Sequence, residues 1–286
     1  MSDPKLRFIL CADDYAQNST ISAGILDLAR AGRLSATSVM VNGASLPSDA
    51  PELAALAGGL AVGLHLNLTH GAPLGPMPRL APQGRLPGLG KLIAAALGGQ
   101  LDLAEIAAET DRQLQAFEAA LGFPPDHLDG HQHVHTLPGI RKAVLSVLSR
   151  RYPGRPMVLR DPSDRAGALL RRPEPVKAAI VAALSIGFAK AAHRAGYLTN
   201  AGFSGYSDFA DHPYAIQLDR FLSHPGPAPM IMCHPGLPGS TDDPIAARRP
   251  QEYAALRQYD GLEDLIWHPQ RSSFGAPLIW PMARRA

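Results

Sequence analysis

Cysteine is scarce. Cys11 and Cys233 are the only two, too few for a disulfide framework. Both lie in apolar strand-like runs, which predicts buried free thiols. Aromatic residues make up only 6% of the 286 positions, and no basic stripe is interleaved with them. A stacking platform for nucleic-acid bases is therefore excluded. A net charge of +2, with Lys and Arg scattered, argues against nucleic acid as a partner. No transmembrane segment is expected, because the longest apolar run, Ala178–Ala189, is well short of the ~20 residues a bilayer requires. Bracketed by Lys177 and Lys190, that run predicts a buried helix. The start, Met1-Ser2-Asp3-Pro4-Lys5, lacks the apolar stretch of a signal peptide, so a cytoplasmic location is expected. Neither a Walker-type phosphate loop nor a Gly-x-Ser-x-Gly elbow is found. Gly88-Leu89-Gly90 opens like a dinucleotide fingerprint, but Ile93 stands where its third glycine belongs.

Alternation of strand and helix patterns is what the chain does have. Strands are predicted at Leu6–Ala12, Ala36–Val41, Ala61–Leu68, His127–Asp129, Met157–Arg160 and Pro229–Cys233. Helices are predicted over Ser19–Ala31, from Pro47 to Gly58-Gly59, and over Leu103–Leu121 with Gly122 closing the last. Such alternation implies an α/β fold with a parallel sheet and helical crossovers. A Pro/Gly-rich loop occupies about 71–90, and one domain over 1–286 is expected. The stretch from Asp161 to Pro225 gives no clear strand count.

Polar residues gather where the apolar runs stop. Asp13-Asp14 ends the first run, His65 interrupts the third, and Asp129-Gly130-His131-Gln132-His133-Val134-His135 follows the fourth. Arg160 and His234 end two later runs. In parallel α/β folds, ligands bind beyond the carboxyl ends of the strands, so one shared site is expected. Two adjacent carboxylates repel unless a cation or a proton separates their roles. One Asp alone is explained by a helix N-cap, but two are not. Imidazoles near such a pair point to a divalent metal. In an extended backbone two or three of His131, His133 and His135 would share a face; in a helical turn only His131 and His135 would align. Asp129 is placed to hold a ligand imidazole. Arg160 either orients a carboxylate or contacts substrate. His234, before Pro235-Gly236, is placed as a general acid.

The ordered set resembles the YdjC-like (ChbG) carbohydrate deacetylases. It comprises Ala12-Asp13-Asp14-Tyr15, Ala36–Gly43, Gly63-Leu64-His65-Leu66, His127–His135 and Met232-Cys233-His234-Pro235. The resemblance implies a distorted TIM-like (β/α) barrel related to polysaccharide deacetylases. It also implies one divalent ion, Mg or Zn, held by Asp14, His65 and His131, with Asp13 as base and His234 as acid. Asp129, His133, His135 and Arg160 would support these groups or contact substrate. The implied substrate is an N-acetylated sugar, chitooligosaccharide-like or lipid-linked, as in hopanoid-associated relatives, and a homodimer is the family expectation. Alternatives are a metallohydrolase of phosphoesters or cyclic amides, or a non-catalytic sugar- or metal-binding protein. The family pattern has Phe-Gly after the Asp pair; here Tyr15-Ala16 stands there, which predicts a changed turn.

Overall fold

A computed structural model describes residues 7–209, 213–239, 243–270 and 276–281. The first part of the chain winds β1 (Ile9–Tyr15), α1 (Ser19–Arg30), β2 (Ala36–Val39), α2 (Leu46–Leu56) and β3 (Ala61–Leu66). Then come α3 (Leu89–Leu97), α4 (Leu103–Leu121), β4 (His127–Gly130), a 3-10 turn (His131–Thr136) and α5 (Ile140–Arg151). The remainder is β5 (Val158–Leu159), α6 (Ala166–Leu169), α7 (Pro175–Leu184), α8 (Phe188–Arg194), β6 (Leu198–Thr199), β7 (Phe203–Ser204), α9 (Tyr214–Leu222), β8 (Met230–Cys233), α10 (Arg249–Gln258) and α11 (Leu262–Leu265). The eight strands form one sheet in the order β6-β5-β4-β3-β2-β1-β8-β7, and every pairing is parallel. This is a distorted TIM-like barrel, with β6 and β7 as the ends of the strand order.

Strand periodicity separates two cores. Leu10 and Ala12 pack into the larger one, with Val62, Leu64, Leu66, Leu128 and the helix faces. Ile9 and Cys11 join the smaller one, with Ala36, Ala61, Val158, Phe203, Met230 and Trp280. Successive side chains on a strand point to opposite faces, so Asp13 continues the face of Ile9 and Cys11. Both cysteines are buried free thiols.

The helix ends follow their chemistry. Asn18 accepts the Ile21 N–H at the start of α1, and Asp102 accepts those of Ala104 and Glu105 at the start of α4. Gly122, with φ of 81°, closes α4 in the left-handed conformation. The Pro/Gly-rich loop is pinned to α4, whose Glu105 accepts the Arg79 and Leu80 N–H groups while Glu109 accepts that of Leu74.

Two expectations change, and one helix appears that carried none. β1 reaches Tyr15 rather than stopping at Ala12, so the Asp pair lies inside its last turns; Leu6 falls outside the described residues. Helix α5 carried no prediction, because its apolar residues are diluted by Arg and Lys. The run Ala178–Ala189 is not one buried helix: it breaks at Ser185–Gly187 into α7 and α8, bent by 44°. Only Ala178 of α7 is buried, and Val176, Ile180 and Ile186 face outward. Ala-rich helices bury little area per residue, so apolar composition alone misjudged this one. Among the described residues no single helix is long and apolar enough to cross a membrane.

Candidate metal centre

A β-bulge builds the floor of the site. Ala12 pairs with Thr37 and Tyr15 with Val39, so β1 spends one more residue than β2 across this span. Asp14 takes φ of 69° there, a conformation that Asp tolerates better than most residues. The bulge lets neighbouring carboxylates serve one site, which simple alternation would forbid. Ala16 also sits at positive φ, 68°. The alanine therefore takes a left-handed backbone of the kind glycine favours.

Strand register brings the next groups abreast. His65 pairs with Asp129 across β3 and β4. His65 Nδ1 donates to Asp129 Oδ1 at 2.7 Å, so Nε2 is turned toward Asp14 Oδ1, 3.3 Å away. His131, half-buried at the start of the 3-10 turn, places Nδ1 at 3.1 Å from the same oxygen. The three donor atoms of Asp14, His65 and His131 lie within 4.8 Å of one another. An imidazole lone pair facing a carboxylate oxygen at 3.3 Å requires a proton or a cation between them. Burial works to lower the His65 pKa, but Asp129 and Asp13 overcome it and raise it to about 10. Without a cation, a proton takes that place. Burial also opposes ionisation of Asp14, yet Arg249, His131 and His65 hold its carboxyl well below the usual range. One carboxylate and two imidazoles converging in this way fit a divalent ion with positions left open.

The surrounding charges are paired. Arg160 Nη1 and Nη2 donate to the two oxygens of Asp13, both at 2.6 Å. Nη2 also meets Asp129 Oδ2 at 2.5 Å, where Ser38 Oγ donates at 2.5 Å. Arg160 is fully buried, so it orients carboxylates and does not contact substrate from the surface. Arg249 Nη2 donates to Asp14 Oδ2 at 2.8 Å.

The three histidines after Gly130 part company. Gln132 and His133 adopt positive φ, 55° and 61°, so the segment is neither an extended strand nor a regular helix. His131 turns to Asp14, His133 lies edge-on to Phe203 and Tyr206, and His135 Nε2 donates to the Arg160 carbonyl at 2.7 Å. Burial keeps His135 neutral, its pKa pushed down to about 4. It supports the Arg160 backbone. His133 instead lines an apolar groove between α3 and α7 of about 380 Å³, whose walls include Ile93, Val176 and Ile180.

His234 lies one residue beyond the Ala12–Cys233 pair, level with Asp13 on the neighbouring strand. Its N–H donates to Glu252 Oε2 at 2.6 Å. Burial pushes its imidazole down to about 4. Burial likewise raises Glu252, to about 7. A second group, Cys11, His127 and Asp129, lies beneath the floor. There Ser38 Oγ bonds to Asp129 and sits 3.1 Å from His127 Nε2, while burial pushes the Cys11 thiol far up. Without a metal these groups form a hydrogen-bonded support under the floor. Arg249, Asp243, Glu252 and Ser38 carried no prediction. Only Ser38, inside the motif Ala36–Gly43, had a signal that could have singled it out.

Residues 7–265 match the model of the YdjC-like protein family, and the chain belongs to that family. It is 39% identical over 145 residues to the carbohydrate deacetylase of Homo sapiens, covering 49% of this chain and 44% of that protein. The match thus spans less than half of the human protein's length. It is 34% identical over 230 residues to the chitooligosaccharide deacetylase of Yersinia pestis (strain Pestoides F), covering 79% of this chain and 80% of that one. A crystal structure of a putative cellobiose-phosphate cleavage protein from Enterococcus faecalis V583 shares the fold. Its TM-score is 0.65 at 21% identity, over 89% of this chain and 92% of that one.

Proposed function

We propose that the protein is a metal-dependent hydrolase that removes acetyl from an N-acetylated amino sugar. The carrying observation is the convergence of Asp14, His65 and His131 next to a second, Arg-held carboxylate, Asp13. The names of the Homo sapiens and Yersinia relatives support the substrate class. A bound divalent ion, Mg or Zn, would polarise the acetamide carbonyl and acidify water. Asp13, held by Arg160 in one orientation, accepts the proton of the attacking water. His234 delivers a proton to the departing nitrogen. His234 is neutral in the free protein, so it acts as the acid by first taking up the proton that Asp13 accepts from water and then passing it to the departing nitrogen, which leaves both groups as they began. The second carboxylate is what a binding protein would not require. The products are acetate and a free amino sugar.

The apolar groove favours a lipid-linked sugar over a free one. His133 and Gln132, directly after His131 in the chain, are among its lining residues, and on this reading an apolar group attached to the sugar would leave the site along α7. The test is acetate release from N-acetylated sugars and their alkyl glycosides, with chelation and metal add-back. Activity lost on chelation and restored by one ion is expected, with alkyl glycosides preferred. Full activity after chelation, or no reaction with any acetylated sugar, would overturn the reading.

A further inference from the structure

Arg249 is the first residue of α10, far in sequence from every motif at the strand ends. Its side chain is 2% exposed and reaches three partners. Nη2 donates to Asp14 Oδ2 at 2.8 Å, Nε donates to Asp243, and Nη1 approaches the His234 carbonyl at 3.5 Å. The stem lies against Gly236, where a Cβ would meet Arg249 Cδ at 3.2 Å, and the Gly236 N–H donates to the Arg249 carbonyl. Arg249 therefore clamps the His234–Gly236 turn and the Asp14 carboxylate together.

We propose that Arg249 is a positioning residue that dictates how Asp14 presents itself to a metal. One oxygen of Asp14 is committed to the guanidinium, and only Oδ1 faces His65 and His131. Asp14 is thereby held as a one-oxygen ligand, which keeps further coordination positions open. Asp243 anchors the guanidinium from behind and offsets its charge. A planar fork can serve two carboxylates at once, which an ammonium point charge does not reproduce. This inference rests on the metal-centre reading above.

The test compares the full-length protein with Arg249→Met, Arg249→Lys and Asp243→Asn. Zinc affinity is measured by competition with a chromophoric chelator, and cobalt(II) loading reports the ligand field by its visible absorption. Outer partners of ligands typically affect metal affinity about 10–100-fold. A loss of that size is expected for Arg249→Met, with smaller losses for Arg249→Lys and Asp243→Asn, and with a changed cobalt spectrum. Should Arg249→Met not fold, the other two carry the test. Folded variants with wild-type affinity and spectrum would overturn the proposal alone. A wild-type protein that binds no zinc, cobalt or magnesium would overturn the metal centre itself and the proposal with it.

Discussion

At the strand ends, Asp13, Asp14 and Asp129 each meet a partner within 2.8 Å. Some residues away, along α7, Val176 and Ile180 line the groove and still face solvent. The first region is charged and buried; the second is mostly apolar and open, with Glu174 and Lys177 also in its lining. Buried charge is stable only when paired, so the floor cannot adapt without large loss. An exposed apolar wall costs the fold little and can be reshaped freely. On the proposed function, chemistry would then lie at the fixed floor and selection at the groove.

The largest expected effect comes from breaking the floor at Asp13. Asp13→Asn removes the proposed base, and positioned acid–base groups typically contribute about 10²–10⁴ in rate. Acetate release should fall by that factor while zinc is still bound. The same change removes one of the two carboxylates that hold the buried Arg160, leaving Asp129, so up to about 3–5 kcal/mol of stability is at stake and melting curves must accompany the kinetics. Wild-type turnover in folded Asp13→Asn would remove Asp13 from the mechanism.

An intermediate effect is expected from the groove. Ile180 is 56% exposed, so Ile180→Asp should leave folding intact. Burying an aliphatic group against Ile180 contributes about 1.5 kcal/mol or more, roughly ten-fold in binding. KM should rise about ten-fold for a long-chain alkyl glycoside and stay unchanged for a short N-acetylated sugar. An equal response to both substrates would exclude the groove from recognition.

The floor was more legible in the sequence than the groove. Asp13, Asp14, His65 and His131 sit at the ends of short apolar runs, and parallel strands bring such ends together. What the sequence concealed depends on long-range packing. Arg249 meets Asp14 across 235 positions, and nothing local marks it. The bulge at Asp13-Asp14 is a register event that appears only once β1 meets β2. The run Ala178–Ala189 reads as buried helix because a stretch rich in Ala and Ile resembles core, yet Ile180, within α7, is exposed and lines the groove. β6 and β7 have two residues each, below the length at which periodicity can be seen.

The smallest expected effect sharpens how rigid the floor is. Ala16 is fully buried at φ of 68°, held by Ser22 Oγ on its N–H at 3.0 Å and Ser45 Oγ on its carbonyl at 3.2 Å. Gly43 admits that carbonyl, because a Cβ there would lie 1.9 Å from it. Left-handed backbone costs an L residue about 1–2 kcal/mol, and Ala16→Gly would relieve it. Two terms oppose the gain: about 0.4–1 kcal/mol from a freer unfolded chain, and about 0.8 kcal/mol from the lost buried methyl. The terms nearly cancel, so the melting temperature should move by no more than about 4 °C, with metal affinity unchanged. Ala16→Val, β-branched in the same conformation, should cost several times more. A large loss in Ala16→Gly would mean that the packing of one methyl, rather than backbone conformation, holds the turn beside Asp14.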